Sequence, residues 1–305
     1  MTSSIALTGA TGFVGQAVLD EAARRQVTVR ALARREQAPC DGVKWVAGDL
    51  SDAAALRSLC DGTEAVLHIA GLTNGRDAQA FEQANILGTQ AVIDAMKATK
   101  AKRLVFVSSL AAREPGLSMY GASKARAEAL VAKSGLNWTT VRPPGVYGPR
   151  DVDYFEMFRS AKLGIVPLPP RGASSIIHVD DLARLLLDLT DASPALARRK
   201  TFEPDDGREG GWSHRELAQV IGKAVGRKVF APHLPRPLLE LAAKVDGAVR
   251  GDKARLTADR VSYITHPNWV ARFDRAVPQA VWSPQIAGEE GLARTAQWYR
   301  AEGWL

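Results

Sequence analysis

The sequence predicts an α/β protein, a doubly wound parallel sheet followed by a smaller, mostly helical C-terminal lobe. Three observations carry that prediction. Short β-branched apolar runs alternate with longer helical stretches through the first 150 residues, the pattern of successive right-handed βαβ units. A glycine-punctuated turn at residues 8–15 closes the first run and opens a helix. Beyond Pro149 the rhythm changes, with Pro167, Pro169 and Pro170 marking loop and helices dominating after Ala192.

Taken in order, Ser4–Thr8 is a short apolar strand and Phe13 to Arg25 a helix. Val27–Ala33 and Val43–Ala47 read as the second and third strands, and Ala65–Ala70 as the fourth. From Asp77 to Thr99 a long helical pattern sets Ala80, Ala84, Leu87, Ala91 and Ala95 on related faces. Arg103–Ser108 has the apolar run of a strand buried on both sides. Met119 to Lys133 is a helix stopping at Gly135, which suits a left-handed closing turn. Trp138–Val141 is a strand closed by Pro143 and Pro144. Ile176–His178 is a short strand feeding a helix from Asp180, its expected N-cap, to Leu189. Helices follow at Ser213–Val225, Pro237–Val249 and Gly288–Arg300, a tail not expected to extend the sheet. The stripe on Pro237–Val249 is amphipathic and could touch a membrane or a partner helix, although packing on the protein's own core is the expectation.

Composition narrows the partners. Hydrophobic residues at 46% and charged residues at 24% exclude wholesale disorder. No run approaches the roughly 18 apolar residues that span a bilayer, and the N-terminus lacks the features of a secretory signal. Two cysteines, Cys40 and Cys60, are too few for a disulfide scaffold and fit a cytoplasmic location. The net charge is +7; residues 1–150 hold 18 Lys and Arg against 13 acids, and 151–305 hold 22 against 20. No long run of like charge occurs, so neither nucleic acid nor a membrane is an expected partner. The histidines have no spacing that gathers a metal, and none is expected.

Chemistry concentrates in a few places. Gly9, Gly12 and Gly15 follow a strand and open a helix. Gly9 permits a tight turn, Gly12 leaves room for a pyrophosphate before the helix N-terminus, and Gly15 lets helix and sheet pack closely. At the end of the second strand, where a carboxylate would hold an unphosphorylated ribose, Ala33 is followed by Arg34 and Arg35. Two guanidiniums suit a 2′-phosphate, which favours NADP(H) over NAD(H). Tyr120 and Lys124 sit one helical turn apart, so both side chains share a face. An ammonium there would lower the phenol's pKa and fit it for proton transfer. Ser108 and Ser109 end the fifth strand at the carboxyl edge, where ligands bind in such sheets.

The spacing GxxGxxG at 9–15, with YxxxK at 120–124, resembles the extended branch of the short-chain dehydrogenase/reductase superfamily, the epimerase/dehydratase-like family. The resemblance runs through most of the chain and implies an NAD(P)-binding Rossmann domain over 1–150, rejoined by 174–200. It leaves 151–173 and 201–305 as a substrate lobe. It also implies roles. Ser109, with Ser108 as competitor, hydrogen-bonds the substrate oxygen; Tyr120 is the general acid/base; Lys124 holds the nicotinamide ribose. Cofactor contacts are implied for Gly9, Thr11, Gly12, Phe13, Val14 and Gly15, and for Asp49 and Leu50 in the Gly48-Asp-Leu segment. They extend to Ala70, Gly71, Asn85 in Asn-Ile-Leu-Gly-Thr, Tyr120, Lys124, and Pro143 and Val146 in Val141-Arg-Pro-Pro-Gly-Val-Tyr-Gly-Pro. A homodimer is allowed by resemblance alone.

The expected activity is hydride transfer between a nicotinamide and a carbonyl or alcohol on a small molecule. Two other readings stay open: a nucleotide-sugar epimerase or dehydratase that retains NAD, and a non-enzymatic dinucleotide sensor or assembly factor. The short Ser109–Tyr120 interval, and Ala173-Ser-Ser where sugar-nucleotide enzymes tend to carry Arg, weigh against the first. The Tyr-Lys pair weighs against the second.

Overall fold

The computed structural model describes residues 4–75, 77–251, 254 and 256–305; the first three residues of the segment read for a signal lie outside them. By compactness the chain forms two units. The first comprises Met1–Pro143, Asp180–Glu203 and Arg275–Ser283, and the second comprises Pro144–Val179, Pro204–Asp274 and Pro284–Leu305.

The first unit is built on a seven-stranded sheet. Its strands are β1 (Ser4–Thr8), β2 (Thr28–Ala33), β3 (Val43–Ala47), β4 (Ala65–His68), β5 (Arg103–Val107), β6 (Asn137–Val141) and β10 (Lys200–Phe202). The order is β10-β6-β5-β4-β1-β2-β3, and each pair is parallel. The winding reverses between β1 and β4, which opens a crevice at their carboxyl ends. Strand β10 corrects the expectation that the tail adds nothing to the sheet. Three residues are too short for periodicity to register, but Lys200–Phe202 pairs with Thr139–Val141.

Helix α1 (Phe13–Arg24) joins β1 to β2, and α2 (Ala53–Cys60), not expected from the sequence, joins β3 to β4. Asp52 caps α2 by accepting from the backbone N–H of Ala54 and Ala55. The single helix expected over Asp77–Thr99 is three pieces: α3 (Ala78–Phe81), a π-helical stretch Glu82–Leu87, and α4 (Gly88–Thr99). Helix α5 (Met119–Lys133) packs with α2 and α4 over one face of the sheet. There Leu56, Leu59, Val92, Met96 and Val131 meet Leu104 and Phe106. Helix α7 (Val179–Asp191) contains Asp180 in its first turn rather than before it, so Asp180 is not the N-cap.

The second unit holds β7 (Gly145–Tyr147) paired with β9 (Ile176–His178), and a three-stranded sheet β11-β8-β12 from Trp212–Ser213, Ala173–Ser174 and Asn268–Trp269. Its core gathers Tyr147, Phe158, Leu217, Ile221, Leu292 and Tyr299. These come from β7, α6 (Asp153–Lys162), α9 (His214–Val225) and α12 (Gly288–Ala301). Among the described residues no helix is long and apolar enough to cross a membrane.

Candidate active site

The turn after β1 is shaped by its glycines in two ways. Gly9 has φ +78°, and a Cβ there would lie 2.7 Å from the Ala70 backbone nitrogen. A Cβ on Gly15 would lie 2.0 Å from the Gly9 carbonyl oxygen. The protein's own packing therefore demands both. Gly12 differs. Its φ of −84° suits any residue, and a Cβ would meet only the Gly9 oxygen, at 3.3 Å. Gly12 heads α1 with no side-chain cap and no acid in the first turn, which leaves the positive end of the helix open to an anion. Phe13 and Val14, half-buried, form that turn; Thr11 is exposed, and its carbonyl accepts from Gln16 Nε2 at 3.1 Å. The residues fit a dinucleotide's diphosphate.

Arg34 and Arg35 stand exposed after β2, beyond the buried Ala33. Asp49 Oδ1 accepts from the Ser51 N–H at 2.8 Å and the Ser51 hydroxyl at 2.6 Å. Those bonds, with the nearby Arg34 charge, hold its carboxyl below the usual range. Leu50 turns the other way and packs on α4, where a Cβ on Gly88 would come 2.6 Å from Leu50 Cδ1.

At the end of β5 the two serines separate. The Ser108 hydroxyl donates to Glu128 Oε1 at 2.5 Å. Ser109 precedes a 3-10 turn at Leu110–Arg113. Its oxygen accepts from Ala111 N–H at 3.2 Å, and it stands close enough to the Tyr120 phenol to draw that group's pKa down. Ser118 caps α5 by accepting from Gly121 N–H at 2.9 Å. A Cβ on Gly121 would come 2.7 Å from Ala111 O, so this glycine lets α5 approach the Ser109 turn.

Burial pushes the Tyr120 pKa up, against the pull of Ser109. The lowering expected from Lys124 is not present. The Lys124 ammonium is turned elsewhere: it donates to Val107 O at 2.7 Å and lies 4.9 Å from the Phe106 ring centre. Burial draws its pKa down to about 8, opposed by Glu128. It also lies 3.5 Å from where a Gly71 Cβ would be. Asn85 ties this region together. Its Oδ1 accepts from Leu72 N–H at 2.6 Å, and its Nδ2 donates to Leu72 O at 2.9 Å and Ser123 Oγ at 2.8 Å. Pro143, buried, accepts from Leu110 N–H at 3.1 Å.

Thus Gly9, Ala70, Gly71, Asn85, Ser109, Tyr120, Lys124 and Pro143 all lie in the first unit, at or beside the carboxyl edge of its sheet. Val146 belongs to β7 of the second unit, paired with Ile177.

Residues 9–192 match the NAD(P)H-binding family. A ceramide reductase from Caulobacter vibrioides is 33% identical over 311 residues, covering 99% of this chain and 96% of that protein. The chain belongs to the extended short-chain dehydrogenase/reductase family. It is an NAD(P)-dependent oxidoreductase. A 4-hydroxy-2-methyl-3-oxo-4-farnesyl-3,4-dihydroquinoline-1-oxide ketoreductase from Stigmatella aurantiaca is 30% identical, over 89% of this chain and 96% of that one. The UDP-glucose 4-epimerase of Thermus thermophilus, solved with NAD, superposes with a TM-score of 0.69 at 20% identity, over 97% of this chain and 99% of that one. That likeness is one of fold.

Two arrangements in this dehydrogenase/reductase had no signal in the sequence. Arg142 donates to both oxygens of Glu128, at 2.9 and 2.7 Å, and to Glu203 at 3.3 Å; Arg113 reaches Glu203 at 3.2 Å. With Ser108 these groups form a largely buried charged network behind the Leu110–Arg113 turn. The other is centred on His68. Thr89 spends its proton on Asn85 O at 2.6 Å, so it accepts from His68 Nε2 at 3.0 Å. His68 Nδ1 then accepts from Thr8 Oγ1 at 2.7 Å. Burial and the Lys124 charge draw the His68 pKa to about 3, so the ring stays neutral.

Proposed function

We propose that the protein is an NADP(H)-dependent ketone reductase acting on a carbonyl borne by a molecule with a long apolar chain. The observation that carries the chemistry is the half-buried Tyr120 phenol set near enough to Ser109 for that hydroxyl to draw its pKa down, beside the turn that Gly121 allows α5 to approach. When bound, the nicotinamide supplies the hydride that goes to the carbonyl carbon. Tyr120 gives its proton to the carbonyl oxygen, while Ser109 donates a hydrogen bond to the same oxygen. A phenol whose pKa is pushed up by burial keeps its proton at neutral pH and so has it to give to the carbonyl oxygen. Lys124, one turn along, holds the nicotinamide ribose through its ammonium. Gly12 and the first turn of α1 receive the diphosphate; Arg34 and Arg35 receive the 2′-phosphate.

The substrate class rests on the two sequence relatives, whose names specify a ceramide and a farnesyl-bearing quinoline oxide. The test has two arms. Fluorescence titration should show NADPH bound at least tenfold more tightly than NADH, with the preference lost in Arg34→Ala/Arg35→Ala. A tenfold preference for NADH overturns the NADP(H) assignment. Long-chain ketones should drive a net fall in absorbance at 340 nm, abolished in Tyr120→Phe. Turnover without net absorbance change would instead identify an epimerase.

A further inference from the structure

The positive charge of the chain is unevenly placed once the fold is known. In the second unit, segments 157–179 and 217–239 together carry seven Lys or Arg and no Asp or Glu, while the rest of 151–305 is net acidic. Far apart in sequence, these segments run side by side. Val166 N–H donates to Phe230 O at 2.9 Å, Phe230 N–H to Gly164 O at 2.9 Å, and Leu168 N–H to Pro232 O at 2.9 Å. The ribbon alternates in facing. Val166, Leu168 and Ala231 point into the second unit's core, whereas Leu163, Ile165 and Phe230 are 83%, 45% and 68% exposed. Beside them Lys162, Arg227 and Lys228 are exposed as well.

Helix α10 (Arg236–Arg250) begins two residues after the ribbon. Leu239 and Ala243 pack with Leu234, Leu256 and Val261. Leu238, Leu241, Val245 and Val249, spaced as one stripe, are each at least half exposed. The expectation that this helix packs its apolar surface on the protein's own core therefore holds for one side alone.

We propose that this face of the second unit rests on the surface of an anionic lipid bilayer. Leu163, Ile165 and Phe230 enter the interface, and Lys162, Arg227 and Lys228 meet headgroup phosphates. Exposed apolar side chains beside exposed cations, on two segments that hold no acid, match the two forces that hold proteins at such surfaces. A second copy is the poorer occupant, because it would set the same Lys162, Arg227 and Lys228 cations against these ones. A nucleic-acid backbone would use the cations but not the leucine, isoleucine and phenylalanine. The inference departs from the expectation of no membrane partner, which rested on charge runs along the chain. It does not depend on the substrate proposed above.

The full-length protein should sediment with vesicles of mixed phosphatidylcholine and phosphatidylglycerol, not with phosphatidylcholine alone, and less as salt rises. Lys162→Glu/Arg227→Glu/Lys228→Glu should lower partitioning by about a hundredfold or more. Leu163→Ser/Phe230→Ser should lower it about tenfold. Melting temperature and NADPH affinity should stay unchanged in both. If the serine variant melts early, the charge-reversed variant decides alone. Equal binding to neutral vesicles, no binding to anionic ones, or a charge-reversed variant that binds like the parent would each overturn the proposal. So would a vesicle-free dimer in analytical ultracentrifugation that Phe230→Ser dissolves, since that assigns the face to a second copy.

Discussion

Gly12 and Gly15 lie three residues apart, yet alanine at each should fail for a different reason. At Gly15 the new methyl would sit 2.0 Å from Gly9 O and 2.7 Å from Ala10 Cα, both backbone atoms. Relief requires the first turn of α1 to move off the Gly9–Ala10 turn, an overpacking cost of about 3 kcal/mol. In a chain of this length that lowers the melting temperature by roughly 6 °C or more. At Gly12 the backbone is unstrained and the methyl meets one atom at 3.3 Å. Losing glycine from an uncapped N-cap costs about 1 kcal/mol or less, roughly 3 °C. The Gly12 methyl would instead occupy the mouth of the helix N-terminus. The NADPH dissociation constant of Gly12→Ala should rise thirtyfold or more, equivalent to about 2 kcal/mol. Ligand-free calorimetry and fluorescence titration separate the two effects. If Gly12→Ala binds NADPH within threefold of wild type, the turn is not the diphosphate cradle. If it melts as early as Gly15→Ala, the fold itself demands the glycine.

Other perturbations test the remaining parts. Ser109→Ala should lower kcat/KM by about 10²–10³. Ser108→Ala should leave turnover nearly intact but cost about 1–3 kcal/mol of stability, because it strips a donor from Glu128; the opposite pattern in kinetics and denaturant unfolding would exchange the two serines' roles. Asn85→Leu should cost about 2–4 kcal/mol by stranding both backbone groups of Leu72, and wild-type stability in urea would refute that. Lys124 is held near pKa 8 when folded against an ordinary 10.5, so the unfolded chain binds the proton more tightly between those values. Its contribution is complete above pH 10.5 and is lost as pH falls through 8, a span of about 3 kcal/mol. Lys124→Met should flatten that rise, and a cofactor-free wild type showing no rise between pH 8 and 10 contradicts the burial.

Much of the sheet was legible because its strands are short, apolar and separated by breakers. Ser4–Thr8, Val43–Ala47 and the helix Met119–Lys133 stand where the pattern puts them. The failures have physical causes. Lys200–Phe202 is too brief and too polar at its start to register, and joins the sheet only because β6 offers a free edge. The π-helical stretch at Glu82–Leu87 leaves hydrophobic periodicity almost intact, so a single helix was expected. Yet that stretch holds Asn85, bonded to the loop at Leu72 and to Ser123 on α5. Insertions of this kind recur at functional sites, where they re-aim one side chain.

The polar chemistry around the site was less legible, because partnership between charges is a property of the fold. Glu128 is a helix residue four positions after Lys124, Arg142 follows a strand, and Glu203 lies 61 residues further on. Nothing in sequence marks them as a network, although their burial makes each dependent on the others. The same limit applies to the basic surface. Read along the chain, the excess is mild and greater in the first half, which argued against a membrane. Folding lays two acid-free segments of the second half side by side and turns alternate apolar residues outward between them. A charge average over sequence windows cannot register that pairing, because the segments lie about sixty residues apart. What selects an anionic surface is the local imbalance that folding creates, since Debye screening over about 8 Å makes only near neighbours count.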